Sequence, residues 1–166
     1  MIRPCTDSDV PVIEAIINEA AKKYRDAIPV DCWHEPYMSR VELVSEIAAG
    51  VAFSVWDKSG EIAGVMGIQP VFDVTLIRHA YVRPSRQGQG IGTALLNALR
   101  RQALTPLLVG TWANATWAIR FYERNGFTLV SNSERDDLLR RYWTVSQRQR
   151  DVSVVLAYSG ADRHKS

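Results

Sequence analysis

A glycine-rich stretch near the middle of the chain reads Gln87-Gly88-Gln89-Gly90-Ile91-Gly92. It follows a predicted strand that ends near Val82, and it opens a predicted helix whose apolar residues recur at helical spacing. Its backbone N–H groups therefore gather at a helix N-terminus, where unpaired donors and the helix dipole attract anions. The three glycines let a phosphate approach the main chain and permit positive φ where the loop turns. This stretch predicts an anion-binding loop.

Two common nucleotide-binding loops have a different spacing. A Rossmann loop requires G-x-G-x-x-G in an early βαβ unit, with an acidic residue about 20 positions later. Here the spacing is G-x-G-x-G, and Thr111-Trp112 occupies the later region. A P-loop ends in Gly-Lys-Ser/Thr, whereas this loop ends in Gly92-Thr93 without a lysine. The sequence argues against both.

The flanking sequence predicts an α+β fold in which helices pack on a mixed sheet. Short links, with turn residues 57–60 and a break at Pro70, favour an antiparallel meander before the loop. Ser133 and Asp136 are a predicted capping pair for a helix that ends near Tyr142. Predicted strands cover residues 2–5, 51–56, 61–68, 74–82, 107–111, 127–130 and 152–157, and predicted helices begin near residues 10, 43, 90, 115 and 133.

Length and composition limit the class of protein. The 166 residues suit one domain, predicted as residues 1–158 with a polar tail at 159–166. A net charge of +2, from 20 basic and 18 acidic residues, argues against a nucleic-acid surface. Cys5 and Cys32 lack disulfide-framework or zinc-ligand spacing, so no metal is expected. Without a secretory signal or a membrane-length apolar run, we expect a cytoplasmic protein that does not bind membranes.

Two motifs in this order resemble a known family. Residues 80–96 look like the acetyl-CoA-binding motif of the GNAT superfamily of N-acetyltransferases, whose core pattern is Gln/Arg-x-x-Gly-x-Gly/Ala. Residues 118–127 resemble the family's next motif, an alanine-x-x-x-tyrosine helix that ends in Gly-Phe. The opening Ile2-Arg3-Pro4 is also similar to family N-termini, so the resemblance covers residues 2–130. It implies a GNAT-like fold with a mixed, mostly antiparallel sheet of about seven strands and helices on both faces.

The resemblance also implies a set of site residues. The main chain of Ala80, Tyr81 and Val82 would pair with the pantetheine arm of acetyl-CoA and offer an N–H to the thioester carbonyl. Tyr122 matches the tyrosine whose hydroxyl lies near the coenzyme sulfur. Family members often carry an asparagine seven residues before this tyrosine, but here that position is Ala115, and the preceding residue, Asn114, is the candidate coenzyme contact. The residues expected to bind the pyrophosphate are Gln87, Gly88, Gln89, Gly90, Ile91, Gly92 and Thr93.

The chemistry of acetyl transfer assigns roles to some of these residues. Amine attack builds negative charge on the carbonyl oxygen, which a backbone N–H near Tyr81 would stabilise. Tyr122 can share a proton with the leaving thiolate. No motif selects the base that takes the amine proton, so water-assisted loss is favoured, and Cys32 lacks the partner of a covalent nucleophile. The candidate bases that remain open are His79, His34, Asp73 and Glu123.

The sequence thus predicts an acetyl-CoA-dependent N-acetyltransferase in which a primary amine attacks the thioester directly. A non-catalytic acyl-CoA sensor and a protein N-terminal acetyltransferase remain as alternatives. The acceptor is a small-molecule or peptide amine, and both a monomer and a homodimer are open. Residues 131–149 carry Tyr142 and Trp143, which either pack into the core or wall the acceptor cleft.

Overall fold

The computed structural model describes residues 1–160, and the last residues of the predicted tail, 161–166, lie outside the described residues. The element order, with three consecutive strands after the first two helices, agrees with the predicted α+β fold. The strands are β1 (Ile2–Pro4), β2 (Ala52–Lys58), β3 (Glu61–Val71), β4 (Val74–Val82), β5 (Leu107–Trp112), β6 (Phe127–Leu129) and β7 (Ser153–Tyr158). The α-helices are α1 (Val10–Ala21), α2 (Arg40–Ala48), α3 (Ile91–Gln102), α4 (Thr116–Arg124), α5 (Asn132–Tyr142) and α6 (Gln147–Asp151).

The strands form one seven-stranded sheet in the order β1-β2-β3-β4-β5-β7-β6. All neighbouring pairs are antiparallel except β4 and β5, which run parallel. The long crossover that a parallel pair requires is supplied by the glycine-rich loop and α3. The prediction of a mixed, mostly antiparallel sheet of about seven strands is therefore confirmed.

Helices cover both faces of the sheet. Ile13, Ile16 and Ile17 of α1 are buried against Phe53 and Val55 of β2. The apolar stripe of α3 packs on the opposite face with Met66 and Val109, while α5 joins the first face through Tyr142 and Leu108. Because alternate strand residues point to opposite faces, each strand contributes to both layers of the core. The largest fully buried side chains include Ile13, Ile16, Ile17, Leu95, Leu96 and Leu99, and burying each stabilises the fold by roughly 1.5–3 kcal/mol.

Two local predictions are wrong, and one short helix was missed. Pro70 does not end β3, which continues to Val71. The turn lies at Phe72, whose φ is +51°. A proline is tolerated there because β2 pairs with β3 only as far as Ile68, which leaves that edge of β3 without a neighbour. The N-cap of α5 is Ser131, whose side chain accepts a hydrogen bond from the Glu134 N–H, and not the predicted Ser133. The short helix α6 was not predicted at all.

Candidate active site

The site is created where two parallel strands separate. β4 and β5 pair only at residues 75–77 and 107–109, so from Arg78 to Val82 one edge of β4 has no strand beside it. On the other edge, the Arg83 N–H donates to the Ala63 carbonyl at 2.8 Å. Hydrogen-bonded and non-hydrogen-bonded pairs alternate along an antiparallel ladder, so the N–H and carbonyl of Val82 point into the gap.

A bulge in β4 widens this gap. The register passes from Gly67 opposite Arg78 to Val65 opposite Tyr81, which is two steps on β3 but three on β4. His79 absorbs the extra residue with a φ of +54°. A bulge bends its strand and increases the local twist, which turns the end of β4 away from β5.

The first of two cavities, the coenzyme cleft, lies between the open edge of β4 and the start of α3 and has a volume of about 420 Å³. Two predicted contacts do not line it. The Gln89 side chain instead accepts from Arg86 Nε at 3.1 Å, and Asn114 is an exposed turn residue before α4. Of the predicted site residues, those that line the cleft are Ala80, Tyr81, Val82, Gln87, Gly88, Gly90, Ile91, Gly92, Thr93 and Tyr122.

The entrance to α3 has the features of an anion site. Gly88 and Gly90 have φ values of +79° and +80°, and a Cβ added at either would have no neighbouring atom within 4 Å. The first N–H groups of α3 have no carbonyl partner within the helix, and they face this space. The side chains of Lys23, Arg86 and Arg124 also line the cleft. Open space, free donors and three cations together fit a coenzyme that carries phosphates.

Close packing of glycines fixes the position of this anion site. A Cβ on Gly64 of β3 would lie 2.8 Å from Ile91 Cγ2 and 3.1 Å from Leu95 Cδ1. Gly64 therefore lets α3 approach the sheet, and any larger residue would push the helix away. Gly92 similarly packs beneath Phe121, where a Cβ would lie 3.2 Å from Cε1. No sequence motif pointed to Gly64, because the need for glycine there arises from a contact between distant segments.

The second cavity, the acceptor cavity, has a volume of about 190 Å³ and lies on the other side of the β4 bulge. Its walls come from the bulge, the end of β5 and the segment that contains α5 and α6. Of residues 131–149, Tyr142 is buried in the core, whereas Trp143 lines the cavity and covers Gly110. The two cavities share the residues Tyr24, Ala80, Tyr81 and Tyr122, so they meet at the bulge.

Tyr122 lies at this meeting point. It is 6% exposed and packs edge-on against the rings of Phe121 and Phe127, at centroid distances of 5.1 and 5.4 Å. Burial raises the pKa of Tyr122 well above its ordinary value, and the nearby hydroxyl of Tyr24 adds to the effect. The Tyr122 hydroxyl therefore stays protonated at neutral pH and can donate a hydrogen bond to an anion.

One of the four candidate bases reaches the acceptor cavity. His79 lines it, and its Nε2 lies 2.6 Å from Glu46 Oε1, which Arg78 also contacts at 3.0 Å. Burial opposes ionisation of Glu46, but the hydrogen bond from His79 and the charges of His79 and Arg78 lower its pKa overall. Glu46 is thus a carboxylate at neutral pH, the form that accepts an Nε2–H from a neutral imidazole.

The other candidates lie outside both cavities. His34 Nδ1 is 2.8 Å from the Pro36 carbonyl in an exposed loop, and Asp73 accepts from the Tyr142 hydroxyl at the β3–β4 turn. Glu123 lies on the exposed side of α4, and Cys32 lies in a short 3₁₀ turn. None of these four residues lines either cavity.

Sequence reasoning missed several residues of the acceptor cavity. Tyr24 belongs to no motif, yet its ring packs edge-on to that of Tyr81 at a centroid distance of 6.0 Å. Burial raises the pKa of Tyr24 to about 12, with a further contribution from Tyr37. Tyr37 and Glu46 carried no motif. Only the density of aromatic residues in the connection between α1 and α2 could have suggested their role.

Comparison with known proteins agrees with this geometry. The sequence profile of the acetyltransferase (GNAT) domain matches residues 49–129, which contain the open edge of β4, the glycine-rich loop and Tyr122. No curated protein sequence matches the chain. Among residues 1–160, no helix is both long and apolar enough to cross a membrane.

Solved structures share the fold at low sequence identity. The ribosomal-protein-S18-alanine N-acetyltransferase of Escherichia coli is 22% identical, with 96% of this chain and 93% of that chain covered and a TM-score of 0.67. The PaiA N-acetyltransferase of Thermoplasma acidophilum, in complex with coenzyme A, is 14% identical, with 96% and 98% covered and a TM-score of 0.71. A GNAT-family acetyltransferase of Staphylococcus aureus is 19% identical, with 95% and 97% covered and a TM-score of 0.69. The matched profile identifies residues 49–129 as an acetyltransferase (GNAT) domain, and the solved structures show that nearly the whole chain shares the fold of such proteins.

Proposed function

We propose that the protein transfers the acetyl group of acetyl-CoA to a primary amine, which attacks the thioester directly. The observation that carries this proposal is the meeting of the two cavities at Tyr81 and Tyr122, because a coenzyme and an amine can reach each other only there. The relative from Thermoplasma acidophilum was solved with coenzyme A, which supports the choice of coenzyme.

The coenzyme cleft would hold acetyl-CoA mainly through the main chain. The N–H groups at the start of α3 and the cations Lys23, Arg86 and Arg124 would bind its phosphates. The Val82 N–H and carbonyl, which point into the gap, would pair with the amide groups of its extended arm. Acetyl-CoA would supply an activated acyl group as a thioester. An N–H at the bulge near Tyr81 would stabilise negative charge on the acyl oxygen.

We assign His79 as the base that accepts the proton of the amine, in place of proton loss to water alone. When the imidazole donates its Nε2–H to Glu46, its other ring nitrogen, Nδ1, carries no hydrogen and can accept a proton. Among residues 1–160, Nδ1 has no hydrogen-bond partner. The proton passes from the amine to Nδ1, directly or through one water, and then to solvent. The ion pair of Arg78 with Glu46 holds the carboxylate in place.

Tyr122 would act on the departing sulfur. A leaving thiolate needs a hydrogen-bond donor or a proton, and the Tyr122 hydroxyl has no partner among the described residues. Its raised pKa makes complete proton transfer unfavourable, so hydrogen bonding to the thiolate is the role that burial favours. Solvent then supplies the proton that completes the free thiol.

The test is turnover of acetyl-CoA with a panel of primary amines and N-terminal peptides, measured by thiol release and by mass spectrometry of the product. Binding of acetyl-CoA is measured separately by calorimetry. Amine-dependent thiol release with an acetylated product is the expected result. Tight binding without turnover of any amine or peptide would instead identify an acyl-CoA sensor, and absence of binding would overturn the coenzyme assignment itself.

A further inference from the structure

The acceptor cavity is walled by aromatic rings that hold one another in place. Tyr81 stands edge-on to Tyr24 and to Tyr37, at interplanar angles of 79° and 77°. The Trp143 ring covers Gly110, where a Cβ would lie only 3.4 Å from Cζ2. The rings that line the cavity are Tyr24, Tyr37, Tyr81, Trp112, Tyr122 and Trp143. Such walls favour a ligand with an apolar surface, since each buried CH₂ group binds better there than in water.

The charges around the cavity are as informative as its rings. Within residues 1–160, the basic side chains that line it are Arg78 and His79, and no aspartate or glutamate does so. The nearby Glu46 carboxylate is already engaged by both of them. A second cationic group on the acceptor would therefore lose its hydration without gaining a carboxylate, and it would lie near the Arg78 guanidinium.

We propose that the acceptor is a small primary amine whose remaining part is aromatic or aliphatic and uncharged. This inference rests on the proposed acetyltransferase function and names its substrate class. A volume of about 190 Å³ accommodates one ring or a short alkyl chain. Polyamines, aminoglycosides and basic peptides are disfavoured because they bring further positive charge into a cavity without counter-charges. Ring faces do attract ammonium groups, but here that attraction is opposed by Arg78.

The charge argument is tested with two amines of nearly equal length. Hexylamine and 1,5-diaminopentane differ in having a terminal methyl or a terminal ammonium group, so they separate charge from size. We expect kcat/KM for hexylamine to exceed that for 1,5-diaminopentane by about tenfold or more. 2-Phenylethylamine should be at least as good a substrate as hexylamine. Equal turnover of the two matched amines, or preference for the diamine, overturns the inference while leaving the acetyltransferase function intact.

A variant in the cavity wall can weaken the preference. Gln149 lines the cavity from α6, and its N–H donates to Ser146 Oγ at 3.1 Å. Gln149→Glu adds a carboxylate without changing side-chain shape, and glutamate suits this third position of a helix. We expect it to lower the hexylamine preference about tenfold. Gln147→Glu adds the same charge on the same helix outside the cavity wall, and it should leave the preference unchanged. An unaltered preference in Gln149→Glu would contradict the charge argument.

A binding measurement covers the case in which neither amine is turned over. Trp112 and Trp143 line the cavity, so amine binding is expected to change the tryptophan fluorescence of the protein. Tighter binding of hexylamine than of 1,5-diaminopentane supports the inference even if the proposed catalysis fails. Equal binding, or no binding of either amine at millimolar concentration, overturns it.

Discussion

The coenzyme cleft and the acceptor cavity share Tyr81 and Tyr122 but are built differently. About half of the residues that line the coenzyme cleft belong to two adjacent segments, the end of β4 and the loop into α3, whose open strand edge and helix entrance present main-chain groups, and the others come mainly from α1, α4 and the residues that follow α1. The acceptor cavity is formed by side chains from five parts of the chain, between Tyr24 and Ser153. A ligand held by backbone groups is insensitive to most side-chain changes, whereas a side-chain cavity can change its ligand by single substitutions. Selection of the amine therefore falls to the second cavity.

The largest effect should come from filling the backbone-built cleft. Gly90→Glu places a carboxylate where the phosphates of the coenzyme would bind, so both volume and charge oppose binding. We expect the Kd for acetyl-CoA, measured by calorimetry, to rise more than about 100-fold. The side chain would enter a space in which Gly90 has no neighbour within 4 Å, so the fold itself is not crowded.

Gly90→Ala is the matched control, because both variants place a Cβ on a residue with a φ of +80°. That strain costs about 1–2 kcal/mol of stability and should appear equally in the two melting curves. We expect coenzyme affinity in Gly90→Ala within about threefold of the wild type. If the folded glutamate variant binds acetyl-CoA normally, the cleft is not the coenzyme site.

The next effect concerns His79. His79→Asn retains a residue that tolerates positive φ but removes the proton acceptor, so kcat/KM should fall by about 10²- to 10⁴-fold. Coenzyme affinity should not change, because His79 lines only the acceptor cavity. The measurement is the pH profile of kcat/KM, whose acidic limb should disappear.

Glu46→Gln tests the same assignment from the other side. Glutamine still offers an acceptor to the Nε2–H but lacks the charge that stabilises the imidazolium formed during proton transfer, so kcat/KM should fall while coenzyme affinity stays unchanged. A merely structural role of the pair would reduce stability and leave kcat/KM unchanged. Unchanged kcat/KM in both variants would return the amine proton to a water-only route.

Tyr122→Phe should have a smaller effect on turnover. It removes one hydroxyl while keeping the ring that packs against Phe121 and Phe127. Loss of a hydrogen bond to a charged group costs about 1.5–3 kcal/mol, so kcat should fall roughly 10- to 100-fold. Calorimetry on the same protein should show unchanged coenzyme binding. Normal kcat under conditions in which chemistry limits the rate would leave Tyr122 as a packing residue.

The two cavities also differ in how far the sequence predicts them. Gly88 and Gly90 were predicted because local spacing and a helix entrance determine what they can do, and Tyr122 was predicted because its motif resembles that of the GNAT family. Tyr37 and Glu46 were not, because their positions depend on how the α1–α2 connection folds back onto β4. Gln89 and Asn114 were predicted from the motifs, but their side chains lie outside the cleft wall, and their contacts with the coenzyme stay predictions. Local sequence encodes backbone geometry better than it encodes contacts between distant side chains.

Trp143→Ala probes this side-chain cavity with a moderate effect. The ring is half-buried over Gly110, so its removal enlarges the cavity and leaves the apolar part of an amine less covered. We expect KM for 2-phenylethylamine to rise about tenfold and coenzyme affinity to stay unchanged. Tyr142→Phe, one residue earlier, removes the hydroxyl that donates to Asp73 and should lower stability slightly with no change in KM. Lowered stability of Trp143→Ala with an unchanged KM would make Trp143 a core residue.

The smallest effect is expected at the rim of the acceptor cavity. Arg148 of α6 donates to Asp31 through Nε at 3.1 Å and Nη2 at 3.3 Å, which ties the wall segment to the connection between α1 and α2. The two side chains are 52% and 60% exposed, so water and salt weaken their attraction. Arg148 lowers the pKa of Asp31. The ion pair is therefore fully formed at pH values above the ordinary pKa of an aspartate, and it is lost as the pH falls through the lowered pKa of Asp31.

Arg148→Gln should therefore raise KM for 2-phenylethylamine by less than about threefold, through a looser rim. Arg140→Gln removes the same charge from an exposed position that makes no ion pair within residues 1–160, and it should change nothing. Because about 1 M salt shortens electrostatic screening to roughly 3 Å, the wild type in 1 M NaCl should resemble Arg148→Gln in low salt. Asp31→Asn should match Arg148→Gln, and the double variant should add nothing further. A much larger change in KM would mean that this ion pair restricts access to the cavity, and that the selection of amines depends on its rim as well as its walls.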